Sequence, residues 1–189
     1  MAEAGQIKKT ELDAKGEALR RLALAQIRQY PDPVLRMTAR EVEIFDDDLA
    51  GLVGRLESLM RDANGVGLAA TQVGVLRRVF VFQESEEQTT PVVNPRIVEK
   101  SDESVTDDEG CLSLQGVLVP VERPATITIE GSDPRGAHIR LELADLPARV
   151  AQHELDHLDG VLIIDRTTAE ERREALARLR PRPVLGATG

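Results

Sequence analysis

Aromatic side chains are almost missing from this 189-residue chain, which has no Trp, a single Tyr and three Phe. Its core must therefore be aliphatic, any pocket must be lined mainly by Leu, Val and Ile, and stacking of nucleobases on aromatic faces has little to work with. Positive charge is also short: 24 Lys and Arg stand against 33 Asp and Glu, a net −9. That balance opposes phosphate backbones, and no basic run is interleaved with aromatics, so direct nucleic-acid readout is not expected. Net charge averages over the surface, so a local basic patch touching a ribonucleoprotein stays compatible with it. No apolar run approaches the ~18 residues of a membrane span, and the first residues lack the apolar stretch of a signal peptide. The expectation is a cytoplasmic protein with no membrane partner. The one cysteine, Cys111, cannot form an internal disulfide. In a reducing compartment a lone thiol is a small buried hydrophobe, a ligand or a nucleophile, and its neighbours must decide.

Histidine is scarce too, three in all, yet two fall in one hexapeptide, Gln152-His153-Glu154-Leu155-Asp156-His157. An α-helix turns by about 100° per residue, so His153 and His157 stand about 40° apart and one turn apart, and both imidazoles can reach one metal ion. Glu154 projects beside that face, next to whatever water the metal binds, which reads as two ligands and a general base. Asp145 is expected to cap this helix, Pro147 to be tolerated in its first turn, Leu155 to pack inward, and Gly160 to stop it. Chance could bring these residues to this spacing on an ordinary helix, but the scarcity of histidine makes that a poor explanation. The pattern signals metal-assisted hydrolysis by an activated water and requires a third ligand.

At this length a single domain with one core is expected, with terminal extensions. Residues 1–10 are expected to be disordered, and Leu12, Leu19, Leu22, Leu24 and Ile27 then suggest an amphipathic helix entering the domain. Tyr30-Pro31-Asp32-Pro33 ends it, since two prolines two apart cannot continue a helix. Asp46, Asp47 and Asp48 open a second helix whose Leu49, Leu52, Val53, Leu56, Leu59 and Met60 form one stripe, closed by Asn64-Gly65. From Arg77 the pattern is β-like, at 79–82, 92–93, 97–98, 126–129 and 139–143, the last two joined as a hairpin by 131–136. Residues 84–90 and the acidic stretch 100–108 read as exposed loops. A short strand is expected at 161–164, then a mixed-charge helix over 169–179, capped by Thr168 and ended by Pro181.

Two further segments carry chemistry. GVGLAATQVG, residues 65–74, sets three glycines and small residues around one polar side chain, Gln72, so that backbone can approach a ligand closely. It matches neither nucleotide-binding fingerprint, and no Lys followed by Ser or Thr stands where a phosphate loop needs them. The alternative is a tight turn with Gln72 facing solvent. EGCLS, residues 109–113, places the only cysteine among small polar neighbours, which favours a ligand over a buried hydrophobe.

In this order, GVGLAATQVG, EGCLS and QHELDH resemble the three signature motifs of the peptide deformylases, and PDPVLR at 31–36 resembles their N-terminal PxxVL segment. The likeness spans roughly residues 28–167. It implies an α+β fold in which antiparallel β-sheets pack around a central metal-binding HExxH helix. Residues 1–27 become a partly helical N-terminal extension, 28–167 the catalytic domain, and 168–189 a C-terminal helix and tail. The resemblance implies Cys111, His153 and His157 as metal ligands, Glu154 as general acid/base, and Gln72 with the backbone N–H of Leu112 as donors to the oxyanion. Gly67 resembles the glycine whose backbone lies beside the substrate, and Val66, Leu146, Val150 and the stem of Arg149 are expected to line an apolar pocket for methionine.

The implied reaction is attack of a metal-bound hydroxide on the formyl carbon of the N-terminal formyl-methionine of a nascent polypeptide, releasing formate. One divalent metal per chain is implied, Fe(II) favoured, with Zn, Ni or Co compatible with a Cys and two His. Relatives use a C-terminal helix to dock near the ribosomal exit tunnel, whereas a mixed-charge helix is by default a solvated one packed on its own domain. A zinc peptidase shares HExxH, but such families usually take a further His or Glu where EGCLS offers a thiolate. Two departures stand out. Val119-Pro120-Val121-Glu122-Arg123 replaces the VPR of many relatives, leaving open whether Arg123 partners Asp156, and Pro147 stands where many have no ring.

Overall fold

The computed structural model describes residues 13–85 and 88–179, together with the two-residue strand β1, Ala4–Gly5. Apart from that strand, the disorder expected of residues 1–10 lies outside the described residues, as does the Pro181 stop.

Helix α1, Ala14–Leu24, starts where Asp13 accepts a hydrogen bond from the Gly16 N–H at 2.7 Å. Only its end is buried: Ala23, Leu24 and, just beyond, Ile27 enter the core, whereas Leu19 and Leu22 stay exposed. The apolar face is thus narrower than the leucine spacing predicts. After the short 3-10 turn Pro33–Arg36, α2 spans Asp47–Asp62 and is capped by Asp46, whose Oδ1 accepts from the Leu49 N–H at 3.0 Å. Its stripe of Leu49, Val53, Leu56, Leu59 and Met60 is buried in one cluster with the end of α1 and with Val79 and Val81.

Five strands, β2 (Gly67–Ala69), β3 (Val79–Gln83), β4 (Thr89–Lys100), β7 (Thr126–Ser132) and β8 (His138–Ala144), form an antiparallel sheet in the order β2-β3-β4-β7-β8. The expected hairpin joins β7 and β8, with Thr126 opposite Ala144 and Ser132 opposite His138. In the second sheet β5 (Ser104–Cys111) pairs antiparallel with β6 (Leu114–Pro124) on one edge and parallel with β1 on the other, Ala4 opposite Glu109.

Two expectations are corrected here, and one unexpected strand is added. The acidic stretch 100–108 is not a loop: its second half is β5, whose residues 104–108 are exposed and so look loop-like, while pairing of Thr106 with Glu122 and Glu109 with Val119 holds them extended. The partner β6, which the sequence reading does not propose, alternates buried Val117, Val119 and Val121 with outward residues. Pro120 hides it, yet β6 is an edge strand, where proline is tolerated. Residues 161–164 make no strand; Ile163–Asp165 form a 3-10 turn because the Asp165 carboxylate accepts from the Leu162 N–H at 2.9 Å. Helix α4, Ala169–Leu179, then packs on the domain through buried Ala175, with Thr168 accepting from the Glu171 N–H.

Helix α3, Asp145–Leu158, lies between the sheets, and every residue from Ala148 to Leu158 is buried. Asp145 is not its cap: Ala144 holds that position without a side-chain bond, and Asp145 begins the helix at φ +53°, which Asp tolerates better than most residues. Gly160, at φ +73°, closes the far end as expected. A helix buried all round is normally apolar all round. This one carries Arg149, Gln152, His153, Glu154, Asp156 and His157, so their partners must be found inside the protein.

Candidate metal centre and active site

β5 delivers Cys111 to the face of α3 that holds both histidines. One ligand atom from each of Cys111, His153 and His157 lies within 4.8 Å of the others, and all three residues are buried. Cys111 Sγ stands 3.3 Å from His157 Nε2, and the two imidazoles meet edge to face with centroids 5.0 Å apart. Burial, reinforced by the neighbouring His153 and Arg123, pushes the His157 imidazole well below its ordinary range, so it is neutral. Burial pushes the Cys111 thiol far up; the Ser113 N–H lowers it, the charge of Glu154 raises it further, and no thiolate forms unaided. His153 Nε2 is buried with no hydrogen-bond partner in the protein. A buried, unpaired imidazole nitrogen is costly, and a divalent cation bound there would satisfy it while displacing the thiol proton. The donor set fits a metal.

His153 is oriented from behind. Its Nδ1 lies 2.9 Å from Glu109 Oε2, and Glu109, fully buried, also accepts from Arg123 Nε at 2.5 Å and Nη2 at 2.9 Å. Burial alone would raise the Glu109 carboxyl, but the Arg123 and His153 bonds outweigh it and hold the group far below the usual carboxylate range. As an ionised acceptor, Glu109 requires the Nδ1 of His153 to carry the proton, which leaves Nε2 as the lone-pair donor. Arg123 also bonds Asp156 Oδ2 at 3.0 Å, and Arg166 reaches Asp156 Oδ1 at 2.6 Å. Arg123 is therefore the partner of Asp156 that the altered VPR segment left open. Sequence reasoning assigns Glu109 no task; the signal available is its place in EGCLS, two residues before the cysteine, within a motif that already carries the resemblance.

Gln72 does not face solvent. It is fully buried in the 3-10 turn Ala70–Val73, where its Oε1 accepts from the Ala69 N–H at 2.9 Å and its Nε2 donates to Ser113 Oγ at 3.0 Å, 3.9 Å from Cys111 Sγ. Gly67 packs directly on α3: a Cβ there would collide with the Glu154 carboxylate and stand 2.8 Å from Val150 Cγ1. Leu112 is buried beside Cys111, and Val66 and Val150 are buried in one cluster, while Leu146 is partly exposed at the start of α3. Arg149, whose stem is expected along the pocket wall, carries its guanidinium into the Glu109 cluster, 2.9 Å from Oε1. An arginine buried between two sheets goes where carboxylate and carbonyl acceptors are, and an apolar pocket has none.

A sequence profile of the polypeptide deformylases matches residues 24–173. The chain belongs to the peptide deformylase family. It is accordingly an enzyme that removes the N-formyl group from nascent polypeptides. The peptide deformylase of Acidothermus cellulolyticus is 44% identical over 167 residues, 88% of this chain and 92% of that one. That of Desulforudis audaxviator is 41% identical over 153 residues, 81% of this chain and 99% of the relative. Among solved structures, Arabidopsis thaliana peptide deformylase 1B superposes with a TM-score of 0.78 at 39% identity, covering 82% of this deformylase and 87% of the plant chain. The mixed helix and antiparallel-sheet fold is thus that of the deformylases. No helix among the described residues is long and apolar enough to cross a membrane.

Proposed function

We propose that Cys111, His153 and His157 hold one divalent metal and that deformylation of formyl-methionyl peptides takes place beside it. The observation that carries this reading is the convergence of a buried thiol and two buried imidazoles within 4.8 Å, with His153 Nε2 and His157 Nδ1 both lacking a hydrogen-bond partner in the protein. A bound divalent cation supplies Lewis acidity, lowering the pKa of water and polarising a carbonyl. The chain supplies the rest. Glu154 takes the proton of the attacking water and returns it to the leaving amine. Gln72 Nε2 and the Leu112 N–H donate to the developing oxyanion, and Gln72 arrives pre-oriented by Ala69 and Ser113. The Gly67 backbone runs beside the substrate, and Val66, Leu146 and Val150 receive the methionine side chain.

In this reading α3 is the metal-binding helix, residues 28–167 form the catalytic unit, and 1–27 and 168–189 stand outside the chemistry. The metal is Fe(II) and the compartment is the cytoplasm; the mixed-charge helix α4 is by default a solvated one packed on its own domain through Ala175, and docking near the ribosomal exit tunnel is the alternative that truncation after Thr168 tests by ribosome co-sedimentation. Elemental analysis of anaerobically purified protein, paired with formate release from a formyl-methionyl peptide, tests the centre. Cys111→Ala should lose metal and activity together. Glu154→Ala should keep the metal and lose about two to four orders of magnitude in kcat. A fully active Cys111→Ala variant would overturn the site.

A further inference from the structure

Arg149 lies on α3 one turn before His153 and is 6% exposed. Its Nη1 donates to Glu109 Oε1 at 2.9 Å and to Val121 O at 2.8 Å, and its Nη2 donates to Val105 O at 2.6 Å. One guanidinium thereby ties α3 to backbone carbonyls on both β5 and β6. Glu109 in turn accepts four bonds: Oε1 from Arg123 Nε and Arg149 Nη1, Oε2 from Arg123 Nη2 and His153 Nδ1. A carboxylate has about four lone-pair sites. Every one is assigned, and the carboxylate plane cannot rotate toward or away from His153 without breaking a charge-assisted bond to an arginine.

We infer that Arg149 is a positioning residue for the reaction: by completing the cage around Glu109 it fixes the His153 ring with Nδ1 protonated and Nε2 turned to Cys111 and His157. Charge supports the assignment. Glu109 and Asp156 are both buried, and Arg123, which bonds both, can neutralise only one of them. Arg149 supplies the second buried cation, while Arg166, half-exposed, serves Asp156 from the surface. Without Arg149, Oε1 loses a donor, Arg123 is drawn between two carboxylates, and the carbonyls of Val105 and Val121 lose the clamp that holds β5 and β6 to the ligand-bearing helix. The inference rests on the reading of Cys111, His153 and His157 as a metal site.

The test uses the full-length chain with Arg149→Met, similar in length but without donors, and Arg149→Lys, which keeps a charge but not the fork. Zinc affinity is measured by chelator competition, kcat and KM with a formyl-methionyl peptide, and the His153 tautomer by ¹⁵N NMR of the zinc-loaded, diamagnetic protein. Arg149→Met should bind zinc about 10- to 100-fold more weakly, lower kcat at saturating metal, leave KM unchanged and perturb the His153 nitrogen signals. Arg149→Lys should fall between that variant and wild type. A raised KM with unchanged zinc affinity would make Arg149 a pocket residue and overturn the inference. A lowered Tm with zinc affinity, kcat and the His153 signals all unchanged would reduce it to a structural clamp. Should Arg149→Met fail to fold, Arg149→Lys decides alone: several-fold weaker zinc binding at unchanged KM upholds the role, and wild-type binding overturns it. Wild-type protein that binds no divalent metal would sink the metal reading itself, an outcome distinct from a wild type that binds and a variant that binds equally well.

Discussion

A missing Cβ sets how closely the backbone approaches Glu154. At Gly67 any side chain would press on the Glu154 carboxylate and on Val150, which lie on successive turns of α3. Gly67→Ala should therefore displace Glu154 as well as overpack the site, at a cost of about 1–3 kcal/mol. We expect kcat/KM to fall at least about tenfold, equivalent to about 1.4 kcal/mol of transition-state stabilisation, along with a lower melting temperature. Unchanged steady-state kinetics would show that Glu154 can move aside without consequence. The same scale shows what residue type alone conveys. Scarcity and spacing pick out His153, Glu154 and His157, whereas Glu109 looks like one more member of an acidic run. Its burial and its four bonds in the interior set it apart from its exposed neighbours Asp107 and Asp108.

Elements whose cap, stripe or turn lies in consecutive residues were readable in the chain, the β7–β8 hairpin among them, whereas β5 and β6 were not. Helix α2 has its cap, stripe and end in consecutive residues. Asp46→Ala removes the acceptor for the Leu49 N–H and should lower stability by about 0.5–2 kcal/mol. Because α2 contributes no group to the ligand cluster, kcat and metal content should be unaffected; denaturant unfolding alongside the formate assay checks both, and lost activity in a folded variant would contradict this separation. Strand β5 is the opposite case, since residues 104–108 face solvent and gain their extended form from β6. Strand β6 is itself obscured by prolines that an edge position tolerates. The 161–164 run is apolar because Leu162, Ile163 and Ile164 pack into a core cluster with Leu35, Leu114 and Val117, not because it joins a sheet.

At the scale of the whole molecule, α3 is held between two sheets, and the chain after it is drawn back onto the domain by Asp165. That carboxylate accepts from the Leu162 N–H at 2.9 Å and from Arg172 Nη1 at 2.5 Å, and pairs with Arg36. Burial pushes its carboxyl up, but the Arg36, Leu162 and Arg172 bonds outweigh this and hold it below the usual range. A folded-state pKa below the unfolded one contributes stability that is full above the unfolded value, about 3.9, and is lost as pH falls through the folded value. Asp165→Asn should thus be less stable than wild type near neutral pH, with the gap narrowing as pH drops below about 4. Urea unfolding at several pH values measures it, and a gap independent of pH would rule out the ionised carboxylate as its source. What the sequence determined by itself is whatever a single element can encode: two histidines and a glutamate one helical turn apart, the α2 stripe, the β7–β8 hairpin, and the order of motifs that marks the family. What only the tertiary structure decided is the meeting of distant groups: Cys111 with a histidine 46 positions on, Gln72 with Ser113, and Arg123 and Arg149 with Glu109. The reason is burial. A polar helix enclosed between two sheets must find its counter-charges inside the protein, and which residues supply them depends on the register of strands that the local sequence does not specify.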